Sequence, residues 1–426
     1  MAIDLKQYAT SALERMNQAG FDSAQVAVSV LMQDELNIAN NEASLLRSTE
    51  DYTVSLIGII DGRNATTTLS ELNDDAIAHG VQALYDRTLL APQDEANAVS
   101  RNQEGHFEQG PQKASLDVLV RKTKELLEFR GTKTPRMTLE EGRASHGLFR
   151  EQVLTSEGTD LSCSTGCYSL SAFGTASDGD KCSSFNVAGG NADDISGAHA
   201  TEYFGIGEML QDTERQIDTR ALDGNFVGEV ILAPGAVSDL LGWLLGQLGD
   251  RALISDASLY KHRTGEQIAS PLLTIQSRFD GPGDAPYSSD AFVANPITLV
   301  SEGTLGMLLP SYYGSLKTGI AHTPVGDGWR IDPGATPKDE LIGSVEKGAL
   351  VTRLSMGEPS ANGDFSAVIK NSFLIENGEA GTALAETMIT GNMARMLKDI
   401  SGISREHLDT GSEDFPWIRI PNLHFS

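Results

Sequence analysis

The sequence predicts an α+β protein: a mixed α/β N-terminal domain, residues 1–220, then a β-rich C-terminal domain, residues 221–426, with a few packed helices. Three observations lead there. Helical and strand periodicities alternate as far as Phe129. Beyond Arg220 the texture changes, and glycine and proline punctuate short strand-like runs. Two Asn-Gly dipeptides, Asn362-Gly363 and Asn377-Gly378, bracket DFSAVIKNSFLIE and mark it as the middle strand of a meander.

The elements follow in order. Leu5, Ala9, Ala12, Leu13, Met16 and Ala19 recur at helical spacing and Gly20 supplies a stop, so the chain opens on an amphipathic helix. QVAVSVL (Gln25–Leu31) and TVSLIGIID (Thr53–Asp61) read as strands, the second turning at Asp61-Gly62. Asn73–Leu84 reads as a helix capped by Asn73, Ala91–Gln112 as a polar surface loop, and Ser115–Phe129 as another helix. From Arg136 to Asp218 the signal weakens, with serine, threonine and glycine crowding between short β-prone runs. GEVILAP (Gly228–Pro234), LLTIQS (Leu272–Ser277) and ITLVSEG (Ile297–Gly303) are expected strands. PGAVSDLLGWLLGQLGD (Pro234–Asp250) reads as a loop entering a short buried helix. A final helix is expected to carry Leu384, Met388, Met393, Met396, Leu397 and Ile400.

Bulk properties narrow the function. The 426 residues are 40% hydrophobic and 21% charged, as in ordinary globular proteins. With 32 Lys and Arg against 59 Asp and Glu, the net charge is −27. Such a field repels phosphate backbones, and no Lys/Arg run offsets it, so nucleic acid is not an expected partner. Neither is a membrane: no basic stretch precedes an apolar one at the N-terminus, and no long apolar window exists. Three cysteines suit a reducing compartment, and the cytoplasm is the expected location.

Familiar chemical motifs are incomplete. Cys163, Cys167 and Cys182 have C-x3-C-x14-C spacing with His199 following, which is one close ligand pair where structural zinc wants two. His199 with Glu202, and His262 with Glu266, miss the H-E-x-x-H pattern. Ser258-Leu-Tyr-Lys261 and Ser344-Val-Glu-Lys347 fit S-x-x-K, and Lys317-Thr-Gly319 fits K-T-G, but the S-D-N element of penicillin-recognising enzymes is absent.

One series of stretches is more informative: GEVILAP and the run after it, FDGPGDAP (Phe279–Pro286), SEGTLGMLLPSYYGSLKTG (Ser301–Gly319), IDPGATPKDELI (Ile331–Ile342), NGDFSAVIKNSFLIENGE (Asn362–Glu379) and TMITGNMARMLKDISGI (Thr387–Ile403). In this order they resemble the TldD/PmbA family of metallopeptidase relatives and modulators of DNA gyrase, and more closely its PmbA (TldE) branch. In the TldD branch the helix after the GEVILAP-like strand carries H-E-x-x-x-H, and a C-terminal cysteine completes the zinc site. Laid on this chain, that pattern falls on Gly242, Trp243 and Gln247, and the last cysteine is Cys182. The resemblance therefore implies no catalytic residue and no metal ligand here, and zinc in a TldD-type partner instead. Periodicity describes the same helix independently. Leu240, Leu241, Leu244, Leu245 and Leu248 form a stripe, with Gly242, Gly246 and Gly249 opposite. An interior glycine costs on the order of 1 kcal/mol relative to alanine, and close approach of a neighbouring backbone is the expected reason for accepting it.

By the same resemblance, this chain is expected to be a non-catalytic TldE-like subunit of a zinc protease acting on unfolded or small peptides, in a heterodimer with a TldD-like subunit or as a homodimer. Substrate-groove candidates are Asp364, Phe365, Ser366, Asn377 and Glu379, around the two Asn-Gly turns, where an extended peptide could add as a strand. The alternatives are a stand-alone hydrolase using residues such as Asp364, Ser366, Glu376 and Glu379, or a scaffold that modulates DNA gyrase.

Overall fold

The opening helix forms where its periodicity places it. In the computed structural model, which describes residues 3–279, 281–284, 286–326, 328–385 and 387–426, α1 (Leu5–Ala19) buries Leu5, Ala9, Ala12 and Met16. Asp4 accepts the Gln7 N–H as N-cap, and Gly20, at φ 95°, ends the helix. The two expected strands are the inner ends of much longer ones, β1 (Ser23–Ala39) and β2 (Glu42–Ile60). Asn40 and Asn41, both at positive φ, join them in a two-residue turn, and Asp61-Gly62 does the same between β2 and β3 (Arg63–Leu69). Asn73 caps α2 (Asp74–Leu90) by accepting the Ala76 N–H at 2.8 Å.

Two expectations fail in this half. The stretch read as a surface loop contains β4 (Glu104–Gln109), which runs parallel to a later strand. After α3 (Leu116–Lys133), the weak region opens with two 19-residue strands, β5 (Met137–Thr155) and β6 (Asp160–Asp178). The sheet order is β3-β2-β1-β5-β6-β4, with Asn186–Ala192 pairing further along β6. The reason for the weak signal lies in β6. Leu161, Cys163 and Thr165 are buried on one face, then Tyr168, Leu170, Ala172 and Ala176 on the other. The phase flips at Gly166, where a Cβ would lie 1.9 Å from the Pro111 carbonyl oxygen. Before the flip the strand is covered by Tyr287 and Ala291 from the C-terminal half; after it, by α3 and α4 (Ile206–Arg215).

The second sheet closes on itself. Phe226–Leu232 pairs in parallel with Lys347–Val351 on one side and antiparallel with Glu413–Phe425 on the other. The meander expected from the Asn-Gly pairs is present. Lys347–Met356 forms the first arm, Asp364–Glu376 the second and Glu379–Asn392 the third, each interrupted once. The third arm then pairs Ile389 with Phe425, which completes the circuit. The final helix is shorter than expected. Leu384 and Met388 belong to the third arm, because Met388–Asn392 pairs with Asp364–Val368; only Met393–Asp399 is helical, capped by Asn392. α5 (Pro234–Leu248) packs on the Glu413–Phe425 strand and on that short helix, sharing a core with Val230, Leu232, Ile389 and Met393. The chain leaves the first sheet at Ala192, and Thr219–Arg220 is its first pairing with the second.

Candidate functional site

α5 begins with Pro234 at its first turn, a position that needs no N–H and suits proline's fixed φ. Regular helical geometry then decides where the three zinc-motif positions go. Gly242 is exposed, whereas Trp243 and Gln247 are buried along with Leu240, Leu241, Leu244 and Leu248. Positions five apart lie about 140° apart on a regular helix, so Gly242 and Gln247 look in different directions. Trp243 packs edge-on against Tyr260, with ring centroids 6.2 Å apart. Its Nε1 and the Tyr260 hydroxyl are both buried with no hydrogen-bond partner. Gln247 spends its side-chain oxygen on the Leu259 N–H, at 3.0 Å. Glycine has no side-chain donor, the indole N–H cannot ligate, and the amide is engaged, so these residues do not fit zinc. Among the described residues no group of three or more His, Cys, Asp or Glu side chains is placed to share a metal ion.

The glycine expectation needs correcting. A Cβ built on Gly242 or Gly246 meets nothing within 4 Å, so no neighbouring backbone of this chain accounts for either glycine. Gly249 lies beyond the last turn as the C-cap. Leu245 is only half-buried, and the buried stripe is completed by Trp243 and Gln247 instead.

The five groove candidates are not brought together. The two Asn-Gly turns sit at opposite ends of the meander's second arm, on the order of 30–40 Å apart at about 3.3 Å per residue. Asp364 accepts from Asn392 Nδ2 (2.9 Å) and Asn362 Nδ2 (2.8 Å), and these bonds hold its carboxyl below the usual range. With Phe365 it borders a cavity of about 390 Å³ that also meets Arg395 and His424. Phe365 is otherwise core, and Ser366 is exposed on the opposite side of the strand. Asn377 and Gly378 form a tight turn whose N–H groups bond to Glu346 and Val345 carbonyls, both at 2.8 Å. Turn geometry accounts for Asn377 and for the exposed Glu379 beside it.

The other candidates have structural roles. His199 and Glu202 form a capping box on a short 3-10 turn. Lys261 pairs with Asp256, Glu266 with Arg263, and Lys317 with Asp94. Ser344 bonds to the Leu341 carbonyl. All three cysteines are free thiols. Burial pushes the Cys163 thiol up to about 11, which removes it as a nucleophile.

Sequence periodicity missed a groove of about 1200 Å³ on the first sheet, between the start of α1 and β4 to β6. His106, whose Nδ1 lies 2.7 Å from Ser162 Oγ, lines it with Arg150, Gln152 and Ser164. The signal available was the polar alternation of EGHFEQ and LSCST, which a loop reading obscures. Near the same strands, Tyr287 Oη donates to Glu151 Oε2 at 2.6 Å and lies 3.1 Å from Cys163 Sγ. Burial raises the Glu151 carboxyl.

An open sheet layered with helices, joined to a closed strand circuit against which α5 is docked, defines a two-part α+β protein whose α5 holds glycine, tryptophan and glutamine at positions 242, 243 and 247. Residues 227–426 match the model of the PmbA/TldA metallopeptidase C-terminal domain. The Metalloprotease PmbA of Escherichia coli O157:H7 is 23% identical over 437 residues, covering 98% of this chain and 96% of the relative. A Zinc metalloprotease TldD homolog of Saccharolobus solfataricus is 24% identical over 280 residues, covering 61% and 62%. The crystal structure of TldE from Thermococcus kodakarensis superposes with a TM-score of 0.84 at 20% identity, covering 98% of this chain and all of that one. A Bacteroides thetaiotaomicron protein named for modulation of DNA gyrase gives 0.85 at 22% identity, covering 99% and 98%. The C-terminal part of this chain thus matches a PmbA/TldA family domain, and the chain along nearly its whole length is similar to proteins named PmbA and TldE. Among the described residues no helix is long and apolar enough to cross a membrane.

Proposed function

We propose that this chain is the zinc-free subunit of a TldD/TldE-type peptidase, cytoplasmic, supplying scaffold and enclosure for unfolded or small peptides while a TldD-like partner supplies zinc. One observation carries the reading: α5 is intact and well docked, yet the three motif positions hold an exposed glycine, a buried indole and an engaged amide. A zinc-bound water, its general base and its imidazole ligands cannot be assembled from those groups. The two exposed glycines leave a smooth helix face with open space above it, suited to contact with a second chain.

The test is reconstitution. The purified chain is assayed for bound zinc and for cleavage of unfolded peptides, alone and mixed with an H-E-x-x-x-H chain from the same genome. The expected result is no stoichiometric zinc and no cleavage alone, with both restored in the mixture. Robust cleavage by the lone chain would overturn the reading, as would a partner that is fully active without it.

A further inference from the structure

A cleft of about 400 Å³ opens between the two sheets beside the start of α5. Its lining is largely apolar: Val187 from the edge of the first sheet, Phe204 and Met209 at α4, and Leu408, Phe415 and Trp417 from the last hairpin. Four charged side chains also reach it, namely Glu208, Asp212, Glu413 and Arg353. The three acids are already engaged. Glu208 meets Lys338 at 3.2 Å, Asp212 meets Arg215 at 2.8 Å, and Glu413 accepts the Ser238 hydroxyl at 2.5 Å.

Arg353 is different. Its guanidinium stacks on the Phe185 ring, 4.1 Å from the centroid, and its Nε is buried with no hydrogen-bond partner. It makes no ion pair with any described residue. Asp239 attracts it from beyond bridging distance while accepting the Leu354 N–H. The Nε donor is thus withdrawn from water without an acceptor, while the side chain as a whole is half-buried and can receive one from the cleft. Next to it the first turn of α5 has no side-chain cap, and Gly235 there is exposed on the cleft wall. Pro234 has no N–H and the Ala236 and Val237 N–H groups bond to the Ala233 carbonyl, so the turn offers the Gly235 N–H and the helix dipole, which with Arg353 favour a negative group in the cleft.

We propose that this cleft binds a carboxylate carried on an apolar group, with Arg353 and the first turn of α5 holding the carboxylate and Phe204, Met209 and Trp417 enclosing the apolar part. The three surrounding acids disfavour phosphate and other dianions. The volume, at the small end of ligand sites, suits one large apolar side chain with its carboxylate rather than a folded partner. The C-terminal residue of a peptide and a free apolar acid share this chemistry. The proposal does not depend on the chain's being part of a zinc peptidase.

Binding to the full-length chain is followed by calorimetry and by intrinsic tryptophan fluorescence, to which Trp417 contributes from the cleft wall. The probes are N-acetylphenylalanine, the peptide Gly-Gly-Gly-Gly-Phe and octanoate, with the amides of the first two as controls. The free acids are expected to bind at least about tenfold more tightly than the amides, as charge-assisted hydrogen bonds require. Arg353→Met should abolish that preference while keeping weak amide binding, and Met209→Trp should fill the cavity and remove both. Thermal unfolding of each variant reports whether it is folded. Tightest binding by the peptide acid identifies a peptide terminus as the source, and tightest binding by octanoate a free acid. No acid binding by the folded wild type would overturn the proposal, as would amides binding as well as acids, or an acid preference that survives in a folded Arg353→Met.

Discussion

Strand β6 and helix α5 each present a periodic row to a core, but only α5 keeps one row from end to end. α5 lies against a single cover, the closed strand circuit and its short helix, so one stripe from Leu240 to Leu248 stays buried. β6 crosses from one cover to another, and its buried row changes face at Gly166. The difference teaches that a hydrophobic period reports the covering surface, and only through it the element. A strand shared between two covers looks irregular even when its geometry is regular.

The comparison can be broken first at the helix. Trp243→Ala removes a buried ring from the one-cover side and should cost about 3–5 kcal/mol in denaturant unfolding. A loss below 1 kcal/mol would mean the indole is not core and would reopen the site at that position. Next comes the crossing point of the strand. Gly166→Ala puts a methyl against the Pro111 carbonyl, which is backbone and cannot swing away, so about 1–3 kcal/mol is expected by the same measurement. A neutral result would show that the two covers slide freely over β6.

A smaller effect tests the start of α5 through pH. Burial pushes the Asp239 carboxyl up to about 6 from 3.8, while the Leu354 N–H and Arg353 pull it down and Glu413 pushes it up. A raised acid binds more protons folded than unfolded, so it lowers stability as pH rises from about 4 to about 6. Asp239→Asn should therefore match the wild type near pH 4 and exceed it by about 1 kcal/mol near pH 7, after discounting for solvent access. A difference independent of pH would assign the effect to packing. Smallest of all, Gly242→Ala and Gly246→Ala should each stabilise the lone chain by about 0.5–1 kcal/mol, since helix propensity rises and nothing is displaced. Destabilisation of the isolated chain would show a contact on that face.

Local chemistry made part of this legible. Gly20, Asn73, Asp61-Gly62 and Asn377-Gly378 act through their own backbone and side-chain preferences, and each stands where its reading put it. The register of α5 was readable because one stripe faces one cover. β4 was not, because it exists only by pairing in parallel with β6, a strand distant in sequence. Leu384 and Met388 fit a helical spacing by coincidence, and pairing across the meander overrode it. The groove around His106 and Arg150 and the cleft at Arg353 combine residues too far apart in sequence for any local pattern to join.

By itself the sequence determined the α+β class, the caps and tight turns, the acidic composition and the absence of histidine and cysteine from α5, because each of these is carried by residue identity or short-range preference. The tertiary structure alone decided that the second sheet closes, that Gly242 and Gly246 face open space, that the groove candidates lie apart, and that an unpaired guanidinium borders an apolar cleft. Those outcomes depend on which distant surfaces meet, and burial and pairing over long sequence separations are what set them.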